Sequence, residues 1–185
     1  MKKSFTLIEL LVVCGIFGIF SLGAFSFFIS QATLQTQTLM LQQAFNELSF
    51  AIDKISREIR MAKKDDIEYK KQSIDCSGDS ADKLNFWQNS PSEIKFRDYQ
   101  NKCHRFFLEE GQIKEEVQPE ISNLPLTSTS TLIVQNLKFN LIGQRQDDFK
   151  QPKVSILIDA KIRGKYEIPL KVQTTISQAD LDIQY

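Results

Sequence analysis

Few side chains in this 185-residue chain are of a type that does chemistry, and most are badly placed for it. The single histidine, His104, follows Cys103. A Cys–His nucleophile pair needs both groups on one side, yet consecutive residues of a strand point to opposite faces. A zinc site takes about four ligands. Outside the apolar N-terminal run the chain offers Cys76, Cys103 and His104, without C-x-x-C spacing. Asp75, Asp79 and Asp82 cluster around Gly78. They depart from the D-x-D-x-D-G calcium loop and read as a solvated loop. No phosphate-binding glycine loop, G-x-S-x-G elbow or H-E-x-x-H helix occurs. No catalytic residue, metal site or cofactor is expected, and the chain is not expected to be an enzyme.

Nucleic acid is not expected as a direct ligand either. Basic and acidic side chains number 23 each, so no strong basic field exists. Lys63-Lys64 and Lys70-Lys71, with Tyr69, are interleaved with Asp65, Asp66 and Glu68. The stretch Lys102-Cys103-His104-Arg105-Phe106-Phe107 reads as strand and core.

The chemically odd residue is Glu9. It heads an apolar run from Leu10 to Ile29 that holds no charge, and the next charged side chain is Glu47. Lys2 and Lys3 precede it. A helix of this length crosses a hydrocarbon core about 30 Å thick. Lysines on the near side fit the cytoplasmic end of a membrane span. A carboxylate in such a segment costs roughly 2.5–3.5 kcal/mol near the bilayer centre and calls for a partner. A secretory signal would need a small-residue cleavage site after the run, and Ser30-Gln31-Ala32 is a poor one. A plain signal anchor explains the lysines and the span but not Glu9.

Lys-Lys-Ser-Phe-Thr-Leu-Ile-Glu-Leu-Leu-Val-Val resembles the N-terminus of a type IV prepilin or pseudopilin. The resemblance implies cleavage by prepilin peptidase between Ser4 and Phe5, with Ser4 where glycine is usual. It further implies N-methylation of Phe5 and an assembly role for Glu9, which sets register in the filament. The partners implied are prepilin peptidase, other pilin or pseudopilin subunits, and the cytoplasmic membrane. The implied product is a single-pass protein with its C-terminal domain outside the cytoplasm, later part of a pilus or pseudopilus. A second resemblance is to J-type minor pseudopilins of type II secretion and related minor pilins. It rests on Ile55–Ala62, Leu124–Thr127 and Val172–Ile176. The alternative is a membrane-anchored extracytoplasmic module that binds a ligand, DNA or a secreted substrate without entering a filament.

The elements that must carry these residues read as α+β. Residues 1–4 form the leader, 5–30 a transmembrane or filament-core helix, 31–63 its amphipathic continuation, and 64–185 a β-rich extracytoplasmic domain. Removal of the leader leaves 21 basic and 23 acidic side chains. In the continuation, Leu41, Ala44, Phe45, Leu48, Ala51, Ile52, Ile55, Ile59 and Ala62 recur at steps of three and four, marking one buried face. Asp53 and Arg57 form a helix-supporting i,i+4 pair.

Period-two patterning then predicts strands at Leu84–Trp87, Ile94–Tyr99, Cys103–Leu108, Gln112–Val117, Leu132–Leu141, Lys153–Arg163 and Tyr166–Ser177. Turns are expected at Cys76–Ser80, Ser90-Pro91-Ser92, Glu109-Glu110-Gly111 and Arg163-Gly164-Lys165. Thr127–Thr131 reads as a surface loop, and Pro169 assigns the last strand to a sheet edge. Cys14 lies in the apolar run. Cys76 and Cys103 can form a disulfide if their domain faces an oxidising compartment; two free thiols are the alternative.

Overall fold

The computed structural model describes residues 6–63, 76, 84–145, 148, 150–164 and 167–179. It shows an α+β protein with one long N-terminal helix and antiparallel sheets. Helix α1 runs from Leu7 to Arg60. The chain divides into two compact units, Met1–Leu39 and Met40–Tyr185.

In the first unit every described residue of α1 but the half-buried Gln37 is exposed, including Phe17, Phe20 and Phe28 at 70% or more. Four of its hydroxyls are satisfied within the helix. The hydroxyls of Ser26, Thr33, Thr36 and Thr38 donate to the carbonyls of Gly23, Ile29, Thr33 and Leu34 at 2.8–3.0 Å. Such back-bonding hides hydroxyls that an apolar surrounding would penalise. The helix is long and apolar enough to cross a membrane.

In the second unit the rest of α1 is amphipathic. Ala44, Leu48, Ala51, Ile55 and Ile59 are fully buried or nearly so, with Leu41 and Ile52 packed beside them. Phe45, expected on this face, is 49% exposed. The buried stripe holds the row Ala44–Leu48–Ala51–Ile55–Ile59, and Phe45 lies one position round from Ala44, beyond its rim. The i,i+4 pair here is Lys54–Glu58 at 2.8 Å, while Arg57 lies 3.8 Å from Glu58, not on the expected Asp53.

The helix stops at Arg60, short of the expected Lys63. Two groups from residues 178 and 179 bind the chain here: the Ala179 N–H donates to the last helical carbonyl, Arg60 (3.0 Å), and Gln178 Nε2 to the Ala62 carbonyl just beyond it (2.7 Å). Helix carbonyls left without intrahelical donors need such partners. Ala62–Lys63 then forms β1.

Five strands make the first sheet in the order β1-β2-β3-β4-β5: β2 is Glu93–Asp98, β3 Cys103–Glu109, β4 Gln112–Gln118 and β5 Ile121–Pro125. The β3–β4 turn is Glu110-Gly111, both with positive φ (52° and 75°). That is the two-residue turn whose twist matches a hairpin. Strand β5 falls where the sequence pattern predicts no strand, because Pro119 precedes it and Pro125 is its last residue. The stretch Leu84–Trp87, expected as a strand, makes two isolated bridges, Leu84 to Arg145 and Trp87 to Lys95. It ties the chain after β6 to β2 instead of running along a sheet.

The second sheet has the order β6-β7-β8, with β6 Leu132–Ile142, β7 Lys153–Ile162 and β8 Ile168–Ser177. Strand β8, with Pro169, lies at an edge. Alternate residues Val154, Ile156, Ile158, Ala160 and Ile162 of β7 are buried. They join the helix stripe and Ile94, Phe96, Phe106 and Ile113 of the first sheet in one core. The expected turn at Cys76–Ser80, apart from Cys76, lies outside the described residues, as do Lys165 and Tyr166.

Candidate processing and assembly site

Ser4 and Phe5, the expected cleavage and methylation residues, lie outside the described residues. Glu9 is described. It sits in the first turn of α1, three residues after Thr6. Glu9 Oε2 accepts from the Thr6 backbone N–H at 3.2 Å and from the Thr6 hydroxyl at 3.0 Å. The Glu9 N–H in turn donates to the Thr6 hydroxyl oxygen at 3.4 Å. This is a capping box, with Thr6 as the residue before the helix and Glu9 as its third residue. It satisfies N–H groups that a helix start leaves without partners, and it puts a carboxylate at the positive end of the helix dipole. The sequence signal was the Thr-x-x-Glu spacing ahead of an apolar run; reading Glu9 only as a stranded charge passed over it.

Behind Glu9, Gly15, Gly18 and Gly23 have nothing within 4 Å of where a Cβ would stand. The packing within this chain therefore does not require glycine there. A helix surface lowered at three points lets another helix come close.

The second feature is on β3. Cys103 and His104 do point to opposite faces of the sheet. Cys103 forms a disulfide with Cys76, Cα atoms 5.3 Å apart, and packs with Trp87 and Leu84. His104 faces the helix. Its ring stacks near Phe96 and Phe106 (centroids 5.7 and 6.4 Å). Its Nε2 lies 3.2 Å from Asp98 Oδ2, and its Nδ1 3.2 Å from Glu115 Oε1. All three residues are buried. Burial works against charge on the imidazole. The hydrogen bonds to Glu115 and Asp98 and the nearby Glu58 and Asp98 charges outweigh it, so the His104 pKa is raised.

Asp98 also accepts the Gln100 and Lys102 N–H groups at 2.8 Å through Oδ1, which shapes the β2–β3 turn. The sequence places His104 in a strand-and-core stretch and offers it as a nucleophile or zinc ligand, but does not pair it with Asp98 and Glu115. The usable signal was alternation: Glu115 lies between Ile113 and Val117 on one face of β4, and His104 shares a face with Phe106. These polar residues were written into the apolar side of their strands.

The segment 1–25 matches the family described as the prokaryotic N-terminal methylation motif. No curated protein and no solved structure matches the chain. The motif match, together with the apolar helix behind it, supports the type IV pilin and pseudopilin family and a pilin-like substrate of prepilin peptidase.

Proposed function

We propose that this protein is a minor pilin- or pseudopilin-like structural subunit of a type IV pilus or a type II secretion pseudopilus. The observation that carries the reading is the register of the N-terminal motif: Lys2-Lys3, Ser4-Phe5, then Glu9, then no charge until Glu47. Prepilin peptidase cuts between Ser4 and Phe5, and Phe5 is methylated on its new amine. Residues 5–30 cross the cytoplasmic membrane, 31–63 continue the helix, and 64–185 lie outside the cytoplasm, where a Cys76–Cys103 disulfide persists. On assembly the apolar half-helices leave lipid and pack together.

Glu9 then takes the positively charged amine of Phe5, in its own chain or a neighbour's. Thr6 holds Glu9 through Oε2, which keeps the carboxylate at the start of the helix. Desolvation makes the pair of Glu9 and the amine sensitive to geometry, so it sets register. The finer reading is a J-type minor subunit. The mass of the membrane-extracted protein tests the proposal: it requires loss of Met1–Ser4 and gain of one methyl group. An intact or differently cut N-terminus points instead to a plain membrane-anchored binding module.

A further inference from the structure

We propose that His104 is the pin of a pH-sensitive clamp between α1 and the five-stranded sheet. The clamp is tight while the imidazole is charged and loosens when it loses its proton. The chain of contacts is continuous. Asp98 of β2 meets one ring nitrogen and Glu115 of β4 the other, each at 3.2 Å. Glu115 in turn lies 3.4 Å from Lys54 Nζ of α1, and Lys54 holds Glu58 at 2.8 Å. Asp98, Glu115 and Glu58 act on the ring, and Lys54 joins Glu115 to Glu58; the exposed Arg57 lies 3.8 Å from Glu58, and Lys102 acts on Asp98 from the β2–β3 turn. Phe96 and Phe106 flank the ring with apolar surface. Arg97 and Arg105 alternate onto the other face of their strands.

With His104 charged, both ring nitrogens donate, and Asp98 and Glu115 each face a cationic donor. With His104 neutral, one nitrogen becomes an acceptor. A lone pair then faces a buried carboxylate, and Glu115 keeps Lys54 as its one ion-pair partner among the described residues. The loss is felt where the helix meets the sheet, because Glu115 serves both His104 and Lys54. The sign follows from linkage. A histidine pKa raised on folding contributes stability that is complete below the ordinary value of about 6.5 and is lost as pH rises through the folded value.

This clamp does not depend on the filament reading, since it lies wholly in the residues from 40 onward. The experiment uses the full chain in detergent, labelled at histidine. With one histidine in the sequence, the imidazole titration is a single curve, and Trp87, the single tryptophan, reports unfolding. The expected result is a titration midpoint above 6.5, with a thermal midpoint that falls as pH rises through it. His104→Gln should remove that fall, which separates the imidazole from the N-terminal amine. Glu115→Gln should move the imidazole midpoint downward. An imidazole midpoint at or below 6.5, or a thermal midpoint flat across the titration, overturns the proposal without recourse to any variant.

Discussion

The Thr131 hydroxyl donates to Glu47 Oε1 at 2.8 Å, across 84 residues of chain. The other oxygen of Glu47 accepts the Ser128 N–H at 3.1 Å. The first charge after Glu9 therefore fastens the Ser/Thr loop before β6 to the helix. The loop that reads as solvated in sequence is a tether.

Glu47→Ala leaves a backbone N–H and a hydroxyl without their acceptor. The site is half-buried, so water recovers part of the loss, and the expected cost is about 1–2 kcal/mol. Glu47→Gln keeps an acceptor oxygen and should cost less. Urea unfolding of the full chain in detergent, followed at Trp87, measures both. Losses near zero for both variants would mean that the two bonds contribute nothing.

Two apolar residues on α1 should behave oppositely. Ile55 is fully buried between helix and sheets. Ile55→Ala removes core volume and should cost about 2–5 kcal/mol. Phe45 is larger but half exposed, and Phe45→Ala should stay within about 0.5 kcal/mol, as for surface sites. The same unfolding assay decides. A large loss at Phe45 would show that the packed face extends further round the helix.

That contrast shows how far the sequence was legible. Steps of three and four identify the stripe from Leu41 to Ala62, because helical period and burial coincide there. They do not tell a residue at the stripe's rim, such as Phe45, from one at its centre. The strands β6 to β8 are legible because alternation runs for ten residues or more. Strand β5 is hidden by its flanking prolines, and Leu84–Trp87 reads as a strand only because short apolar runs carry no direction. The Thr6–Glu9 cap could be read from spacing. The His104 cluster could be read only in part. Alternation puts each polar residue on an inner face, but the contact of His104 with both Asp98 and Glu115 depends on the register of three strands.

The disulfide should matter chiefly to the chain that precedes β2. Cys76 and Cys103 are separated by 27 positions. Closing a loop of that length stabilises a fold by roughly 3–4 kcal/mol on the chain-entropy model. Cys76→Ser with Cys103→Ser should lower stability by up to that amount, and Cys14→Ser should not. A non-reducing peptide map of the membrane-extracted protein checks the bond itself. Free alkylation of both cysteines without reductant would mean that the cell does not form it.

Glu9 carries two roles that a pair of variants can separate. As the third residue of the helix it caps through Thr6; as a carboxylate it is the proposed partner of the Phe5 amine. Thr6→Ala removes the hydroxyl that receives and donates in the cap but leaves the charge. A lost cap costs about 0.5–2 kcal/mol of helix stability. In a helix this long that should fray the first turn without stopping assembly. Glu9→Ala removes cap and charge together. It makes the span more apolar, so membrane insertion should persist, while the fraction of subunits entering filaments should collapse. The measurement is the ratio of filament-associated to membrane-associated protein for each variant beside the native chain. Thr6→Ala near the native ratio with Glu9→Ala near zero assigns the requirement to the carboxylate. Equal defects would assign it to the cap, and a native ratio in Glu9→Ala would remove Glu9 from assembly altogether.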